Sequence, residues 1–403
     1  MPLLHRHLRS TQHDGPLTVM FVNTSLPVGG AETLLLNLVR RMDRERFLPE
    51  ICCLKELGPI GEQLSEEIPA FHSLIRHKYD LKVRDRLAKL FVERGVDAVV
   101  TVGAGDKMFW GRLAAAKAGV PVILSALHST GWPDCIERPN RWLTEITDGF
   151  IAVAPAHGRF LVEREGFPSE KVFVVPNGVD VFRYRPDLDC TAQRQELGIG
   201  NEQRVVGIVA ALRPEKNHAL FLEAAARVRD RVPNTRFIII GDGPERLRLL
   251  ALAHQLKLNG VVHFLGNRAD VPQWLNLCDV FALSSRMEAN PVSILESLSC
   301  GTPVVAPRVG SIPDSVTDGL NGYLVEPHQV EPLAARIEEL LLDGPLRKSM
   351  GREGRHFVLE HASLRRMVEG YEGLIEFLYR KSAGDKISRQ PRQTANFAET
   401  AAV

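Results

Sequence analysis

Residues 279–307, DVFALSSRMEANPVSILESLSCGTPVVAP, contain two short apolar runs with a helix-like segment between them. The runs DVFALS and PVVAP are bounded by turn residues, as is typical of strands buried in a parallel sheet. Asn290 followed by Pro291 predicts a helix start, because an asparagine side chain caps the first turn and proline fits the first helical position. The stretch therefore predicts a strand–helix–strand unit with parallel strands.

The same alternation of apolar runs and helical patterns extends over most of the chain. Six strands are predicted in the first half, at 17–22, 50–54, 97–102, 121–127, 149–154 and 171–176. Five are predicted in the second half, at 204–212, 236–241, 261–266, 279–284 and 303–307. Predicted helices include AETLLLNLVRRM from Ala31 and RPNRWLTEIT around Arg141. Repeated βα units predict an α/β fold of two tandem Rossmann-like domains, each a doubly wound parallel sheet, facing each other across a cleft.

The turn-rich segment 177–198 has little periodicity and is predicted to be a linker between the two halves. The predicted division of the chain is a disordered N-terminus at 1–15, an acceptor-side domain at 16–185, a nucleotide-sugar-binding domain at 186–363, a helix packing back on the first domain at 364–381, and a disordered tail at 382–403.

Composition excludes several classes of protein. The chain has 403 residues, too many for one ordinary core, with 44% apolar residues, 25% charged residues and a net charge of +1. No global field favours nucleic acid, so we expect no such partner. The six cysteines show no metal-ligand spacing. Neither a secretory signal nor a membrane span is recognisable, so a cytoplasmic location is expected.

Gly29 and Gly30 lie where the first predicted strand leads into a helix, in SLPVGGAETLL. Free backbone N–H groups and the positive helix end favour an anion there, and glycine permits close approach by a phosphate oxygen. A tight turn without a ligand is an equally good interpretation, since the full G-x-G-x-x-G pattern is absent.

Arg213 and Lys216, in LRPEKNH (212–218), follow the first strand of the second half. Two cations at the carboxyl end of a strand suit a diphosphate whose negative charge grows as a bond to it breaks. Taken alone, a solvated loop with Glu215 as a neighbour is the more common interpretation of such a segment.

Glu288 lies in the loop before the predicted helix, and Glu296 lies within its first two turns, among apolar residues. A carboxylate at the position of Glu296 can accept two hydrogen bonds from the paired hydroxyls of a ribose. Glu288 and the exposed amides after it can reach a sugar and its phosphates. The alternative, two surface glutamates on an amphipathic helix, is disfavoured by the apolar residues that surround Glu296.

Five motifs occur together in a specific order, although each is weak alone: VGGAE (28–32), VVPNGVD (174–180), LRPEKN (212–217), Glu-x7-Glu followed by CGTPVV, and VGSIPDSVTDGLNGYLV (309–325). In this order and spacing they resemble retaining, nucleotide-sugar-dependent glycosyltransferases of family 4, which have the GT-B fold. The resemblance covers about residues 17 to 381.

The resemblance implies a role for each matching residue. Gly29 and Gly30 would approach the donor diphosphate, and Lys216 would bind it and offset the charge of the leaving group. Glu288 would contact the transferred sugar, helped by the backbone of Asn290, Pro291 and Val292, while Glu296 would hold the ribose. His128, in SALHSTGWP, would lie beside the reacting sugar; alone, a histidine at a strand end is more often a structural hydrogen-bonder. No cofactor and no metal are implied, only a nucleoside diphosphate sugar as donor.

The sequence departs from the family pattern at two places. An arginine common in the family corresponds to Ala211, and Arg213 replaces it only if the strand continues far enough to keep the same face. A Gly-Gly before Pro-Glu appears here as Gly310, Ser311, Pro313 and Asp314. The residues that distinguish base and sugar are expected around 241–245 and 266–270, where composition does not identify either.

Segment 76–95, RHKYDLKVRDRLAKLFVERG, is predicted to be a basic amphipathic helix. Val83, Leu87, Leu90 and Phe91 share one face, so the helix could lie on an anionic membrane and bring the enzyme to a glycan or lipid-linked acceptor. A half-buried surface helix with a solvated charged face explains the pattern equally well.

Two other functions remain open at this stage. Sugar-nucleotide 2-epimerases share the two-domain architecture but act on the donor alone. A non-catalytic descendant that only binds a nucleotide sugar would explain why Ala211 replaces the arginine that is common in the family. The combined presence of His128, Lys216, Glu288 and Glu296 favours sugar transfer over both.

Overall fold

The computed structural model describes residues 15–77, 80–103, 106–128 and 142–384. They divide into two compact units. The first contains the described residues up to Asn177 together with those from Leu364 onward, and the second is Gly178–Ser363. The predicted domain boundary, between residues 185 and 186, lies C-terminal to the observed division between Asn177 and Gly178. The predictions for the chain ends fall almost entirely outside the described residues, as does most of the helix predicted around Arg141.

The first unit is built on a seven-stranded sheet in the order β3-β2-β1-β4-β5-β6-β7. Its strands are β1 Leu17–Asn23, β2 Phe47–Cys53, β3 Ala70–Phe71, β4 Ala98–Val102, β5 Val122–Leu127, β6 Gly149–Ala152 and β7 Val172–Val174. Its helices before the second unit are α1 Gly30–Arg41, α2 Gly58–Ser65, α3 Val83–Glu93, α4 Asp106–Ala118 and α5 Pro155–Glu163. Neighbouring strands pair in parallel, as Val19 with Ala98 between β1 and β4.

The second unit is built on a six-stranded parallel sheet in the order β10-β9-β8-β11-β12-β13. Its strands are β8 Arg204–Val209, β9 Thr235–Ile240, β10 Val262–Gly266, β11 Val280–Ala282, β12 Val304–Pro307 and β13 Gly322–Val325. Its helices are α6 Thr191–Glu196, α7 His218–Arg231, α8 Arg246–Gln255, α9 Val271–Leu277, α10 Val292–Ser299, α11 Val330–Leu342 and α12 Gly344–His361. This strand order is that of a doubly wound fold, so the prediction of two such sheets is confirmed.

Burial on both faces explains why the strands are continuous apolar runs rather than alternating ones. Val19, Phe21 and Val22 of β1 are all fully buried, and so are Val206 and Ile208 of β8. Helices cover both faces of a parallel sheet, so every side chain of a central strand enters a core.

The last helix, α13 Leu364–Ser382, returns to the first unit. Glu372 on this helix accepts a hydrogen bond from the backbone N–H of Asp43 at 2.7 Å. Arg46 donates to Glu376 at 2.9 Å on the same face. The apolar side of α13 is buried there, with Ile375 fully inaccessible.

The prediction that 177–198 is a linker is wrong. The segment contains α6, and Val179 donates its N–H to the carbonyl of Ala362 at 2.8 Å. Tyr184 is only 8% exposed, within the second core. Turn residues remove local periodicity, but they do not prevent a segment from packing against distant elements.

Two local predictions also need correction. Helix α10 begins at Val292, and Pro291 holds the N-cap position with φ −71° and ψ 111°, so Asn290 is not the cap. The extended ψ of Pro291 keeps it outside the helix, while its carbonyl accepts from Ile294 at 3.1 Å. Strand β8 ends at Val209 rather than at residue 212.

The segment predicted as amphipathic forms α3, whose apolar face is buried in the first core. Val83, Leu87 and Phe91 are fully inaccessible, so the structure matches the half-buried surface helix, the second of the two interpretations. Its charges are largely paired, as in Lys89 with Glu93 at 3.5 Å. Within the part of the chain that the structure describes, no helix is both long and apolar enough to cross a bilayer.

Candidate functional site

Strands β8 and β11 are neighbours at the centre of the second sheet, where the strand order reverses. In doubly wound folds, ligands bind beyond the carboxyl ends of the strands at this reversal. Lys216 lies in a short 3₁₀ turn, Pro214–Lys216, that follows β8. Glu288 lies in the loop between β11 and α10. The topology therefore brings these two predicted site residues to the same edge of the sheet.

Lys216 and Glu288 form an ion pair. The Lys216 Nζ donates to Glu288 Oε1 at 2.6 Å, and the Ser285 hydroxyl donates to the same oxygen at 2.7 Å. The Glu288 side chain is 7% exposed, whereas that of Lys216 is 23% exposed. A buried carboxylate is stable only when paired and hydrogen-bonded, and these two donors meet that requirement.

Further hydrogen bonds hold the two loops together as one structure. The Ser284 hydroxyl donates to the carbonyl of Lys216 at 3.0 Å. The N–H of Arg286 donates to the carbonyl of Glu215 at 2.8 Å. The position of Lys216 is therefore set by backbone contacts as well as by its own side chain.

A third segment, which contains Gly310, packs against the backbone carbonyl of Glu288. Gly310 has φ +53°, and a Cβ at this position would lie 1.8 Å from the carbonyl oxygen of Glu288. The next residue, Ser311, donates its N–H to that oxygen at 3.1 Å. Only glycine combines the left-handed backbone with this close approach, so a side chain at position 310 would displace the carbonyl of Glu288.

Glu296 lies in the second turn of α10 and is half-buried. Burial raises the pKa of Glu296, while its neighbours Tyr184 and Arg183 act in the opposite direction. The carboxylate that the sequence assigns to a ribose therefore lies in a mainly apolar environment at the start of α10.

Asn290, Pro291 and Val292 connect Glu288 to α10, and Val292 is the first helical residue. Arg213 is exposed, with φ −119° and ψ 156°. Strand β8 ends at Val209, but Leu212 still donates its N–H to the carbonyl of Asp242 at 3.0 Å, and replacement of the family arginine at Ala211 by Arg213 stays a prediction. The segments expected to distinguish base and sugar are adjacent, since Gly241 donates to the carbonyl of Gly266 at 2.8 Å.

The first unit carries the other predicted residues. Gly29 is the N-cap of α1 with no side-chain cap, and Gly30 is its first residue, with no atom within 4 Å of an added Cβ. His128 directly follows β5 and is half-buried. It lines an apolar pocket of the first unit with Leu35 and Tyr371, among others. Across the described residues, no three His, Cys, Asp or Glu side chains form a group suited to a metal ion.

Three residues of the second unit were missed by the sequence analysis. Ser285 donates to Glu288, Tyr184 is a neighbour of Glu296 that affects its pKa, and Arg355 of α12 donates to the carbonyl of Tyr184 at 2.8 Å. An aromatic residue within a turn-rich segment was the available signal for Tyr184. Serine and arginine are too common for their positions to have indicated the other two.

Two family models match the chain in succession. The model described as Glycosyltransferase Family 4 matches residues 28–183, and the model described as Glycosyl transferases group 1 matches residues 189–357. The first match begins after β1 and contains the other strands of the first sheet, and the second match contains all strands of the second sheet.

Similar proteins include named enzymes. The UDP-Gal:alpha-D-GlcNAc-diphosphoundecaprenol alpha-1,3-galactosyltransferase of Escherichia coli is 27% identical over 325 residues, which is 75% of this chain and 82% of that protein. The GDP-mannose-dependent alpha-(1-6)-phosphatidylinositol monomannoside mannosyltransferase of Mycolicibacterium smegmatis is 29% identical over 309 residues, 72% of this chain and 80% of that protein.

Solved structures show the same fold. A glycosyltransferase from Rickettsia africae aligns with TM-score 0.79 and 20% identity over 91% of this chain and 98% of its own. Anabaena Alr3699/HepE, crystallised with UDP, aligns with TM-score 0.78 and 24% identity over 90% of this chain and 100% of its own. With consecutive family models matching residues 28–183 and 189–357, and with this fold, the chain belongs to glycosyltransferase family 4 and has the GT-B fold.

Proposed function

We propose that this enzyme transfers a sugar, with retention of configuration, from a nucleoside diphosphate sugar to a hydroxyl of a glycan or lipid-linked acceptor. The observation that carries the proposal is the 2.6 Å contact between Lys216 and Glu288 at the central edge of the second sheet. It joins a cation suited to a diphosphate to a carboxylate suited to a sugar, in the position where doubly wound folds bind ligands.

Lys216 serves the leaving group in this proposal. As the bond between the sugar C1 and the phosphate oxygen breaks, negative charge accumulates on the diphosphate, and a preorganised ammonium stabilises it. An ammonium has three donors, and Glu288 engages one of them. Arg213 is proposed as a second, more flexible cation. Gly29 and Gly30 are proposed to contact the same diphosphate, and His128 the reacting sugar, as the family resemblance implies.

In this proposal, Glu288 and Glu296 bind different parts of the donor. Glu288, anchored by Ser285, contacts the transferred sugar together with the backbone of Asn290, Pro291 and Val292. Glu296 accepts hydrogen bonds from the two ribose hydroxyls. This role requires the charged form of Glu296. Burial raises the pKa of Glu296, and the nearby positive charge of Arg183 opposes that effect and favours the charged form.

The proposed step balances without a metal or cofactor. The bond from C1 to the phosphate oxygen breaks, the acceptor oxygen forms its bond to C1 on the same face, and the acceptor proton passes to the departing phosphate oxygen. The side-chain cations and the N-terminus of α10 stabilise the leaving charge. Turnover in the presence of EDTA tests this metal independence, and a requirement for added Mg²⁺ would contradict it.

The acceptor and the pathway are proposed from the relatives. The Escherichia coli relative is named for a diphosphoundecaprenol acceptor and the Mycolicibacterium smegmatis relative for a phosphatidylinositol monomannoside. Both names describe lipid-linked sugars, which supports polysaccharide or glycolipid biosynthesis for this enzyme. Contact of segment 76–95 with anionic lipid is retained as a proposal for its charged face alone. Cosedimentation with anionic vesicles at low and high salt tests it, because only electrostatic binding weakens with salt.

The donor is tested first by a thermal-shift panel of UDP-, GDP-, ADP- and dTDP-sugars. A ligand that binds only the native state raises the melting temperature by mass action. The relatives are named for both UDP-galactose and GDP-mannose, so the panel must include both bases.

The sugar nucleotide that binds is then incubated with lipid-linked glycan acceptors, and the anomeric configuration of the product is determined by NMR. Free nucleotide and an α-linked product from an α-linked donor support the proposal. Conversion of the donor to its C2 epimer would instead identify an epimerase. Binding without turnover on any acceptor would identify a non-catalytic protein.

A further inference from the structure

We propose that Ser285 is a positioning residue for the transferred sugar. Together with Lys216 it occupies one oxygen of Glu288, and this leaves the other oxygen, Oε2, to accept a hydrogen bond from a hydroxyl of that sugar. The inference rests on the proposed function, because it assumes that Glu288 contacts the transferred sugar. No motif of the family resemblance assigned Ser285, and the resemblance does not distinguish the two oxygens of Glu288.

The two donors that reach the Glu288 side chain converge on the same oxygen. Lys216 Nζ donates to Oε1 at 2.6 Å, and the Ser285 hydroxyl donates to Oε1 at 2.7 Å. Among the residues that the structure describes, none donates a hydrogen bond to Oε2. A carboxylate offers about four lone-pair positions, divided equally between its oxygens. Both positions of Oε1 are therefore used, and both positions of Oε2 stay open to a ligand.

A carboxylate oxygen without a donor is unusual in a side chain that is only 7% exposed. Most buried polar atoms of side chains have a hydrogen-bond partner, because leaving water without gaining one costs free energy. Oε2 is not fully enclosed, so a ligand can reach it. It lies beyond the carboxyl ends of β8 and β11, where doubly wound folds bind their ligands. A sugar hydroxyl is the donor that the proposed reaction brings to this place.

The position of Ser285 is fixed by the residues on both sides of it. The Ser284 hydroxyl donates to the carbonyl of Lys216 at 3.0 Å, and the N–H of Arg286 donates to the carbonyl of Glu215 at 2.8 Å. Ser285 lies between these two contacts and is only 1% exposed. Its hydroxyl therefore meets Glu288 from a fixed position in the loop.

Lys216 alone would not distinguish the two oxygens of Glu288. An ammonium carries three donors at the end of a flexible chain, so it can bind either oxygen or both. A second donor at a fixed position on Oε1 fixes the rotation of the carboxylate. The backbone of Glu288 is held separately, since its carbonyl accepts from the N–H of Ser311 at 3.1 Å. Without Ser285 the carboxylate would gain rotational freedom, which it would lose again when the sugar binds.

The test compares a nucleotide sugar with its own nucleoside diphosphate. Dissociation constants are measured by calorimetry, without acceptor, for the nucleotide sugar that binds best in the thermal-shift panel and for the corresponding UDP, GDP, ADP or dTDP. The variant is Ser285→Ala. Ser297→Ala is the matched control, because Ser297 is also buried in the second unit, but its hydroxyl donates to a backbone carbonyl, that of Thr302, at 3.0 Å.

We expect Ser285→Ala to weaken binding of the nucleotide sugar about tenfold, as for loss of a hydrogen bond to a charged group. Binding of the nucleoside diphosphate should stay nearly unchanged, because it carries no sugar for Oε2 to bind. Ser297→Ala should leave the ratio of the two dissociation constants as it is in the unmodified enzyme. Melting temperatures of both variants show whether they fold.

A second measurement identifies the hydroxyl on the ligand. The sugar hydroxyls of the donor are replaced one at a time by fluorine, which cannot donate a hydrogen bond. One of these analogues should bind the unmodified enzyme about tenfold more weakly than the parent donor does. For that analogue, Ser285→Ala should cause no further loss. The measurement on the unmodified enzyme does not depend on the folding of any variant.

Other outcomes separate this inference from the proposed function. Equal weakening of the nucleotide sugar and the nucleoside diphosphate by Ser285→Ala, as expected for a purely structural serine, would overturn the positioning role, and so would no weakening. Equal binding of all fluorinated donors by the unmodified enzyme would overturn the assignment of Oε2. Glu288→Gln is measured in parallel. If it binds the nucleotide sugar as tightly as the unmodified enzyme does, the proposed contact of Glu288 with the sugar is wrong, and this inference fails with it. If the unmodified enzyme binds no nucleotide sugar of the panel, the proposed donor class is wrong.

Discussion

Lys216 and Glu288 are 72 positions apart in the chain, and their side chains meet at 2.6 Å. The contact depends on the crossover from β8 to β11, which places the ends of two sequence-distant strands side by side. It also balances charge, since the buried carboxylate of Glu288 receives both the ammonium and the Ser285 hydroxyl. The pair therefore links the stability of this loop structure to the proposed chemistry.

Replacing Lys216 tests its proposed role in stabilising the leaving group. Lys216→Met should lower kcat/KM for sugar transfer by about 10²- to 10³-fold, as for removal of one preorganised charge. Lys348→Met is the matched control, because Lys348 is an exposed lysine on α12 of the same unit. Initial rates with the donor that binds in the panel provide the measurement. A Lys216→Met enzyme that keeps its melting temperature and near-normal rates would remove the electrostatic basis of the proposal.

Coupling within the pair can be measured separately. Glu288→Gln and the double variant with Lys216→Met complete a double-mutant cycle in melting temperature and in kcat/KM. Side chains in direct contact are expected to give non-additive effects in both quantities. Additive effects in both would mean that the ion pair contributes to neither stability nor transfer.

Substitution of Gly310 tests whether its close packing against the carbonyl of Glu288 matters for activity. Gly310→Ala should lower both the melting temperature and the transfer rate, because the added Cβ would displace the carbonyl of Glu288. Gly319→Ala is the control: Gly319 has φ +77°, but an added Cβ there meets no atom within 4 Å. Both variants carry the strain of a left-handed alanine, about 1–2 kcal/mol, so the difference between them isolates the displacement. Equal loss of activity in the two variants would mean that strain alone is responsible.

The raised pKa of Glu296 predicts the pH dependence of stability. The native state binds this proton more tightly than the unfolded chain does. The stabilisation is therefore complete below the ordinary pKa of 4.5 and is lost as pH rises through the raised value. Glutamine does not titrate, so Glu296→Gln has no such pH-dependent loss of stability. The difference in melting temperature, variant minus unmodified enzyme, should therefore be more positive at pH 8 than at pH 4.

Glu339 provides a control of opposite sign. Hydrogen bonds from Tyr323 and Arg336 lower the pKa of Glu339, so its stabilisation is present above the ordinary pKa and lost as pH falls. Glu339→Gln should therefore lower the relative melting temperature more at pH 8 than at pH 4. The same trend with pH in both variants would contradict the assignment for Glu296.

Because α13 belongs to the first unit, a substitution in this helix should destabilise the first unit and not the second. Ile375→Ala removes a fully buried side chain and should destabilise the first unit by about 2–5 kcal/mol. Hydrogen exchange measured by mass spectrometry should become faster in β1 and β4 and stay unchanged in β8. Ile337→Ala, at a fully buried position of α11 in the second unit, should give the reverse pattern. Faster exchange in β8 after Ile375→Ala would contradict this division of the chain.

Much of the fold was predictable because its signals are local. Short apolar runs between helical patterns indicated the central strands, and β1 and β5 lie within about a residue of the predictions. The two-residue strand β3 was missed because it carries too little pattern. The segment 177–198 was misassigned because turn residues conceal the packing of Tyr184.

From the sequence alone, the order of βα units and the family could be determined, since both depend on residue type and spacing along the chain; the roles of Lys216, Glu288 and Glu296 stay predictions. The tertiary structure decided which atoms meet: Lys216 with Glu288, the Ser299 hydroxyl with the carbonyl of Tyr184, and Glu372 with the backbone of Asp43, 329 positions away. The physical reason is that periodicity reflects a residue's immediate neighbours. Contacts between distant segments depend on how crossovers and loops place them, which no local pattern encodes.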